Sequence, residues 1–253
     1  MNSTTLILCC IAFLAGFVDA IVGGGGLIQT PAGIILFPNE PISRVIGSLK
    51  IPSFTGTFFA ARQYLKKVRI PKTRLLLFIS IAFVSAFIGS YCLTLVSNAF
   101  MKPLIFIVLV LIAIYTYSNK NLGLEIQNAN FKFKWYQGAG ICLVIGFYDG
   151  FIGPGAGSLL VLAFISILGF DFLQANAHAK VVNLATNLGS ILLFLLKGSI
   201  IWSIALPMAV CNALGGFLGS KMAIAKGNKF IRTFFLIVII ATLCRLGYDV
   251  FLH

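Results

Sequence analysis

Three polar side chains recur at helical spacing within an otherwise apolar stretch of the chain. Lys180, Asn183 and Asn187 stand at positions i, i+3 and i+7, so an α-helix would place them on one narrow face. Polar side chains in a membrane-spanning helix are costly and usually face the protein interior or a cavity. The spacing therefore predicts a hydrophilic site on this face, with an ammonium group that would favour an anion.

A second polar face precedes the first by 130 residues. Lys50, Ser53 and Thr57 occupy the positions equivalent to Lys180, Asn183 and Asn187. Two equivalent stripes, each led by a lysine, indicate a shared site. For the lysines an alternative stays open, because both lie near the start of a helix, from which a long side chain can extend to the lipid headgroups.

Two glycine-rich breaks interrupt apolar stretches that are too short to span a membrane separately. Such exposed backbone is tolerated inside a bilayer only where it is buried in protein or lines a watered cavity. We therefore predict a helical hairpin in each half with its tip inside, and expect Thr30-Pro31 and Ser158 to begin its second helix. Free N–H groups there would favour an anion; the alternative is that the glycines only permit close helix packing. The residues expected to contact solute at the breaks are Gly23, Gly24, Gly25, Gly26, Gly153, Pro154, Gly155, Gly157 and Ser158.

Titratable side chains accompany both breaks. Asp19 and Asp149 lie four residues before the respective breaks. Burial favours the neutral form of a carboxyl group, so either could carry a proton for coupled transport. The alternative is a carboxylate that accepts hydrogen bonds from the opened backbone. His178 could also titrate near neutral pH, although a single histidine at a helix start is more often structural.

The composition is that of a membrane protein. Of 253 residues, 59% are hydrophobic and only 10% are charged, and the mean hydropathy is +1.02. A soluble domain carries about 25% charged residues, so most of this surface must face lipid. The net charge of +13 is explained by basic cytoplasmic loops rather than by nucleic acid. The apolar start has no basic residue before Leu6, which favours a mature helix over a secretory signal.

The chain consists of two copies of one unit. A shift of 130 residues aligns Gly16-Phe17-Val18-Asp19 with Gly146-Phe147-Tyr148-Asp149, and the register continues without a gap. We predict a first membrane repeat at 1–120, a cytoplasmic linker at 121–135 and a second repeat at 136–253. The apolar pieces are 6–22, 27–37, 45–61, 75–97 and 103–117 in the first half, and 136–152, 157–170, 175–196, 200–220 and 231–252 in the second.

The basic loops predict that the two repeats are inverted. Segment 62–74 holds six basic residues and follows the third piece of its half, whereas segment 221–232 holds four and follows the fourth piece. Both should be cytoplasmic. An odd number of crossings per repeat satisfies this, because it turns the second copy upside down. Both termini are then expected outside.

These motifs resemble the TauE/SafE family of bacterial membrane permeases, often called sulfite exporters. The resemblance rests on Gly16 to Pro31, on Gly47-Ser48-Leu49-Lys50 and on the basic turn after Tyr64. It covers nearly the whole chain, since the second half repeats the pattern at Gly146 to Gly157 and at Ala177 to Lys180. The resemblance implies a plasma-membrane transporter of small sulfur-containing anions, such as sulfite or organosulfonates, with proton coupling as an option.

The expected fold class is an all-α polytopic membrane protein with two inverted-topology repeats, each a broken helical hairpin plus three spanning helices. The expected mechanism is alternating access at a site near the midplane between the repeats. No catalytic motif, metal-ligand spacing or cofactor motif stands out, so we expect neither an enzyme nor a cofactor. The expected partners are a small anionic solute and the lipid bilayer; a homodimer stays open. The competing interpretation is a non-transporting membrane assembly or scaffold protein.

Overall fold

The structure, a computed structural model, describes residues 3–97 and 135–251, and its regular elements there are all helices, which confirms the all-α polytopic class. The predicted piece at 103–117 and the linker at 121–135, apart from Trp135, lie outside the described residues. The helices are α1 (Ser3–Val22), α2 (Gly25–Leu36), α3 (Ile42–Leu65), α4 (Lys72–Leu95), α5 (Trp135–Phe151), α6 (Ala156–Leu168), α7 (Phe172–Leu196) and α8 (Trp202–Phe251).

Four of these helices are long and apolar enough to cross a membrane, within the part of the chain that is described. They are α1, α4, α7 and the part of α8 up to Phe234. Large apolar side chains such as Leu76, Val144 and Leu214 are exposed on the outside of the bundle, where lipid would cover them. Gly227, with φ of +71°, interrupts α8 between the predicted pieces 200–220 and 231–252.

Two short helices follow the breaks. Helix α2 has 12 residues and α6 has 13, which at about 1.5 Å per residue is roughly 18–20 Å, well short of a bilayer core of about 30 Å. Both are therefore half-spans. Gly23 (φ +82°), Gly153 (φ +92°) and Gly155 (φ +79°) turn the chain in the left-handed region at the breaks, which side chains other than glycine rarely enter.

The predicted starts of these two half-helices are wrong. Helix α2 begins at Gly25, so Thr30 and Pro31 lie inside it. The carboxylate of Asp19 accepts a hydrogen bond from the Gly25 N–H, and this contact from the preceding helix supports a start that the local sequence does not indicate. Helix α6 begins at Ala156 after Gly155, and the Ser158 hydroxyl donates to the carbonyl of Val22 instead of capping its own helix.

The fourth helix of each half packs on the other half. Helix α4 packs chiefly against α5 and α7, while α8 packs chiefly against α1 and α3. The close contacts are equivalent: a Cβ at Gly89 would lie 2.2 Å from the carbonyl oxygen of Phe147, and one at Gly219 would lie 2.4 Å from that of Phe17. These two pairs are related by the same 130-residue shift. The two halves therefore interleave and do not form separate bodies.

The two breaks touch each other at the centre of the bundle. A Cβ on Gly157 would lie 2.5 Å from the carbonyl oxygen of Gly23, which is rigid backbone. We expect Gly157→Ala to lower the stability by about 1–3 kcal/mol because the two breaks must separate. Gly140→Ala is the matched control, since nothing lies within 4 Å of its added methyl group. Thermal unfolding of both variants in detergent measures the difference; equal midpoints would contradict the contact.

Both basic segments lie at the same end of the bundle. A cavity of about 230 Å³ joins Arg69, after α3, to Gln174 at the start of α7. The backbone N–H of Leu173 donates to the side chain of Asn228, beside the interruption in α8, at 2.9 Å. At the opposite end the Ile201 N–H donates to Ser48 near the start of α3. Helices α3 and α7 therefore run in opposite directions through the bundle.

The orientation of this end remains a prediction. In a background without the native cysteines, cysteines at Lys67 and Lys226, both exposed, should resist an impermeant thiol reagent applied to intact cells. Both should react after permeabilisation, because basic loops are retained in the cytoplasm. Labelling of either position from outside would contradict the predicted inverted topology.

Candidate functional site

A small cavity lies where the two breaks meet the two polar helices. Its volume is about 40 Å³, which is room for a few water molecules. Helices α3 and α7 contribute polar side chains to its wall, and the breaks contribute backbone. The lining residues are Asp19, Gly23, Gly26, Thr30, Ile46, Leu49, Lys50, Ser53, Asp149, Ile152, Gly153, Gly155, Ala156, Gly157, Asn183 and Asn187.

Two ion pairs cross between the halves beside this cavity. The Lys50 Nζ lies 2.8 Å from Oδ1 of Asp149 and also donates to the Asp149 carbonyl at 2.7 Å. The Lys180 Nζ lies 2.9 Å from Oδ2 of Asp19 and also donates to the Asp19 carbonyl. Each lysine thus binds the carboxylate and the backbone next to the other half's break, and the two pairs are equivalent under the 130-residue shift.

Both lysines are interior residues. Each is the ninth residue of its helix, α3 or α7, and the exposed fraction of the side chain is 6% for Lys50 and 1% for Lys180. A snorkelling lysine would instead extend toward an exposed helix end. The structure therefore favours an interior position. It also adds the carboxylate partner of each lysine, which the polar stripes alone did not indicate.

The two carboxylates have different surroundings. Asp149 is only 4% exposed, and it accepts a hydrogen bond from the Thr186 hydroxyl in addition to Lys50. Asp19 is 19% exposed and accepts from the Gly25 N–H at 3.3 Å. Asp19 thus holds the opened backbone at the start of α2, which is the alternative considered for it from the sequence. Both ion pairs are buried, but the one that contains Asp19 is the more accessible.

The amides of α7 form one connected group. The Asn187 amide donates to Oδ1 of Asn183 at 2.9 Å, and the Thr57 hydroxyl lies 3.4 Å from the same oxygen. The polar faces of α3 and α7 therefore meet, as their spacing predicts. Within this group Asn183 and Asn187 line the cavity, whereas Thr57 is buried behind them.

Three further buried polar residues support the site without belonging to either stripe. Gln29 of α2 donates to the Leu49 carbonyl at 2.9 Å and accepts from the Asn212 amide, also at 2.9 Å. Thr186 holds Asp149. Gln29, Asn212 and Thr186 are not among the site residues that the sequence patterns predict. Asn212 is a single polar residue in an apolar segment, and that isolation is the signal that could have found it. Gln29 is next to Thr30 and Thr186 is next to Asn187, so their signal is a polar neighbour of a residue already selected.

Helices α2 and α6 both begin at the cavity. Their N-cap residues, Gly24 and Gly155, provide no side-chain cap. Helix N-termini carry a partial positive charge of about half an elementary charge each. Two N–H groups at these starts are already bonded, since Gly25 donates to the Asp19 carboxylate and Ala156 donates to the Gly153 carbonyl. The positive potential of the two helix starts still gives the cavity an environment that suits negative charge.

Several predicted site residues do not line the cavity. They stand behind it or beside it: Gly24, Gly25, Thr57, Pro154, Ser158 and Lys180. His178 is further removed, because its ring packs at 4.5 Å from that of Phe170 and its Nδ1 lies 2.8 Å from the Gln174 carbonyl, in the cavity at the basic end of the bundle. The geometry gives His178 no contact with either aspartate.

The sequence of the chain is similar to those of known proteins. A family model named "Sulfite exporter TauE/SafE" matches residues 8–246. A "Probable membrane transporter protein" of Haemophilus influenzae is 36% identical over 245 residues, covering 96% of this chain and 94% of that protein. "Probable membrane transporter protein YfcA" of Escherichia coli K12 is 33% identical over 240 residues, covering 94% of this chain and 88% of that protein. No solved structure matches the chain significantly.

Proposed function

Because the chain belongs to the TauE/SafE family of membrane transporters, we propose that it carries small sulfur-containing anions, such as sulfite or organosulfonates, across the bacterial plasma membrane. The observation that supports this proposal is the placement of two buried lysines and two half-helix N-termini around one cavity. An anion that leaves water needs fixed positive partners, because its desolvation is costly.

The formal charges at the site cancel before a solute enters. Lys50 and Lys180 are each matched by a carboxylate, Asp149 and Asp19, so the two helix N-termini supply the remaining positive potential. This pairing offsets part of the desolvation cost of burying four charged groups in a low-dielectric environment. A solute that binds here must either share a lysine with its carboxylate or displace that carboxylate.

Transport through this site requires movement of the helices around it. The cavity of about 40 Å³ holds a few water molecules, so an organosulfonate fits only after the walls separate. We infer alternating access in which α3 and α7, with the breaks against them, open toward one side at a time. Asp19 and Asp149 are the proposed proton carriers of a coupled cycle, since both line the cavity.

Flux measurements test the proposal directly. The purified chain is reconstituted into liposomes, and the flux of sulfite is compared with that of sulfate and of taurine. We expect sulfite flux above that of protein-free liposomes, and reduced flux for Lys50→Gln. A folded protein without flux of any of the three solutes would contradict the proposal and favour the assembly or scaffold interpretation.

The amide group on α7 provides a sharper test of the solute path. Asn187 is buried, lines the cavity and bonds Asn183. We expect Asn187→Leu to insert and fold, because leucine is favourable in a membrane helix, but to lower flux at least about tenfold by removing a polar contact with the solute. Leu188→Ala, on the exposed side of the same helix, is the control and should retain flux. Wild-type flux in Asn187→Leu would identify a packing role.

A further inference from the structure

Asp19 stands between Lys180 and the cavity. The Lys180 side chain is 1% exposed and does not line the cavity, whereas Asp19 lines it and is 19% exposed. Two of the three hydrogens of an ammonium group can be assigned to Asp19, one to the carboxylate and one to the backbone carbonyl. A solute in the cavity therefore meets the carboxylate first.

An anion cannot use Lys180 while this arrangement persists. The carboxylate repels an approaching anion and already fills the position that the anion needs. Bringing a second negative charge next to a buried carboxylate is strongly unfavourable, and one of two adjacent carboxylate-like groups then takes up a proton. The protein itself thus holds an internal anion at the position of the solute.

We propose that Asp19 is this internal anion and that its protonation transfers Lys180 from Asp19 to the transported solute. The step rests on the proposed function. The Asp19 carboxylate takes up one proton from the bulk solution, which arrives as a hydronium ion through the water of the opened cavity, and becomes a neutral carboxylic acid. Lys180 stays an ammonium ion, and a monoanion replaces the carboxylate as its partner. The sum of the charges is zero before and after the step, so one proton binds with each anion and no net charge is buried.

Asp19 suits this role better than Asp149, because its side chain is the more exposed of the two. Around Asp19 the charged or titratable groups are Lys180 on α7 and Tyr64 on α3, whose hydroxyl donates to the Ala20 carbonyl. The Lys50–Asp149 pair lines the same cavity. The Gly25 N–H and the Thr57 hydroxyl, at 3.3 Å and 3.5 Å, also donate to the Asp19 carboxylate. Asp149 likewise accepts from one threonine hydroxyl, that of Thr186, and from Lys50, but its side chain is only 4% exposed, against 19% for Asp19.

The position of Lys50 adds a further difference between the pairs. Lys50 lines the cavity itself, so an anion can reach it without displacing Asp149. The displaceable carboxylate is therefore Asp19. Its movement also releases the Gly25 N–H at the start of α2, which adds a helix N-terminus to the site that receives the anion.

Calorimetry of the full chain in lipid nanodiscs tests the proposal with methanesulfonate, whose own charge is constant near neutral pH. We expect wild-type affinity to fall as the pH rises, by at most tenfold per pH unit, because one proton binds with each anion. Titrations in two buffers with different ionisation heats should show uptake of about one proton per anion. Asp19→Asn should bind without proton uptake and without this pH dependence. Glu40→Gln, which changes an exposed carboxylate, should match the wild type.

Each result decides between the alternatives. Wild-type binding that is independent of pH and without proton uptake overturns the role of Asp19 and leaves the transport proposal intact. Asp19→Asn that keeps the wild-type proton uptake assigns the proton to another group and also overturns it. If Asp19→Asn does not fold, Asp19→Ser replaces it: binding without proton uptake supports the role of Asp19, and wild-type proton uptake overturns it. Absence of binding of both methanesulfonate and sulfite to the wild type contradicts the transport proposal itself.

Discussion

Asp149→Asn is expected to destabilise the protein by about 3–5 kcal/mol, because it leaves a buried lysine charge without its partner. Lys50 and Asp149 are 6% and 4% exposed, so only the few water molecules that the cavity can hold are able to replace part of the lost contact. The double variant Lys50→Gln with Asp149→Asn should recover most of this loss, since two neutral amides can bond each other. Reversible unfolding in mixed micelles measures the free energy of unfolding of the wild type, the single variant and the double variant.

The control for this cycle is an ion pair at the surface. Arg44 and Glu40 are 2.9 Å apart and are 45% and 32% exposed. Glu40→Gln should change stability by no more than about 1 kcal/mol. If Asp149→Asn lowered the stability no more than Glu40→Gln does, the side chains of Lys50 and Asp149 would not form an ion pair in the native protein.

Lys180→Gln is expected to weaken anion binding by about 30-fold or more, which corresponds to the loss of about 2 kcal/mol or more for a buried charged partner. The loss should be larger for a dianion than for a monoanion of similar size, because two helix N-termini supply only about one charge together. Lys197→Gln, at the exposed end of the same helix, should bind both anions normally. Unchanged affinities in Lys180→Gln would mean that backbone N–H groups and amides hold the anion without the lysine.

The site was predictable where the pattern is local. Helical spacing places Lys180, Asn183 and Asn187 on one face. The glycine runs indicate breaks, because consecutive glycines disrupt a membrane helix and expose its backbone. The half-helix starts were not predictable in this way. Pro31 favours a first turn in general, but the contact of Gly25 with Asp19, on the preceding helix, supports an earlier start.

The lysine partners could not be derived from spacing at all. Lys50 and Asp149 are 99 residues apart, and Lys180 and Asp19 are 161 apart. Which side chains meet across the two halves depends on how helices from different halves pack, and apolar surfaces specify such packing only weakly in sequence. The same holds for Gln29 and Asn212, which are 183 residues apart and form no periodic pattern.

The interleaving of the fourth helices determines an order of assembly during synthesis. Helices α1 and α3 leave the ribosome early, yet their main neighbour is α8, which is made last among the described helices. Gly16 and Gly56 both lie against the Asn212 carbonyl of α8. Until α8 inserts, the surfaces of α1 and α3 around these two glycines lack their neighbour, and Gln29 lacks its hydrogen bond from the Asn212 amide. The packing of the first half is therefore completed only by the last described helix. A nascent chain arrested before α8 lacks the main neighbour of both α1 and α3.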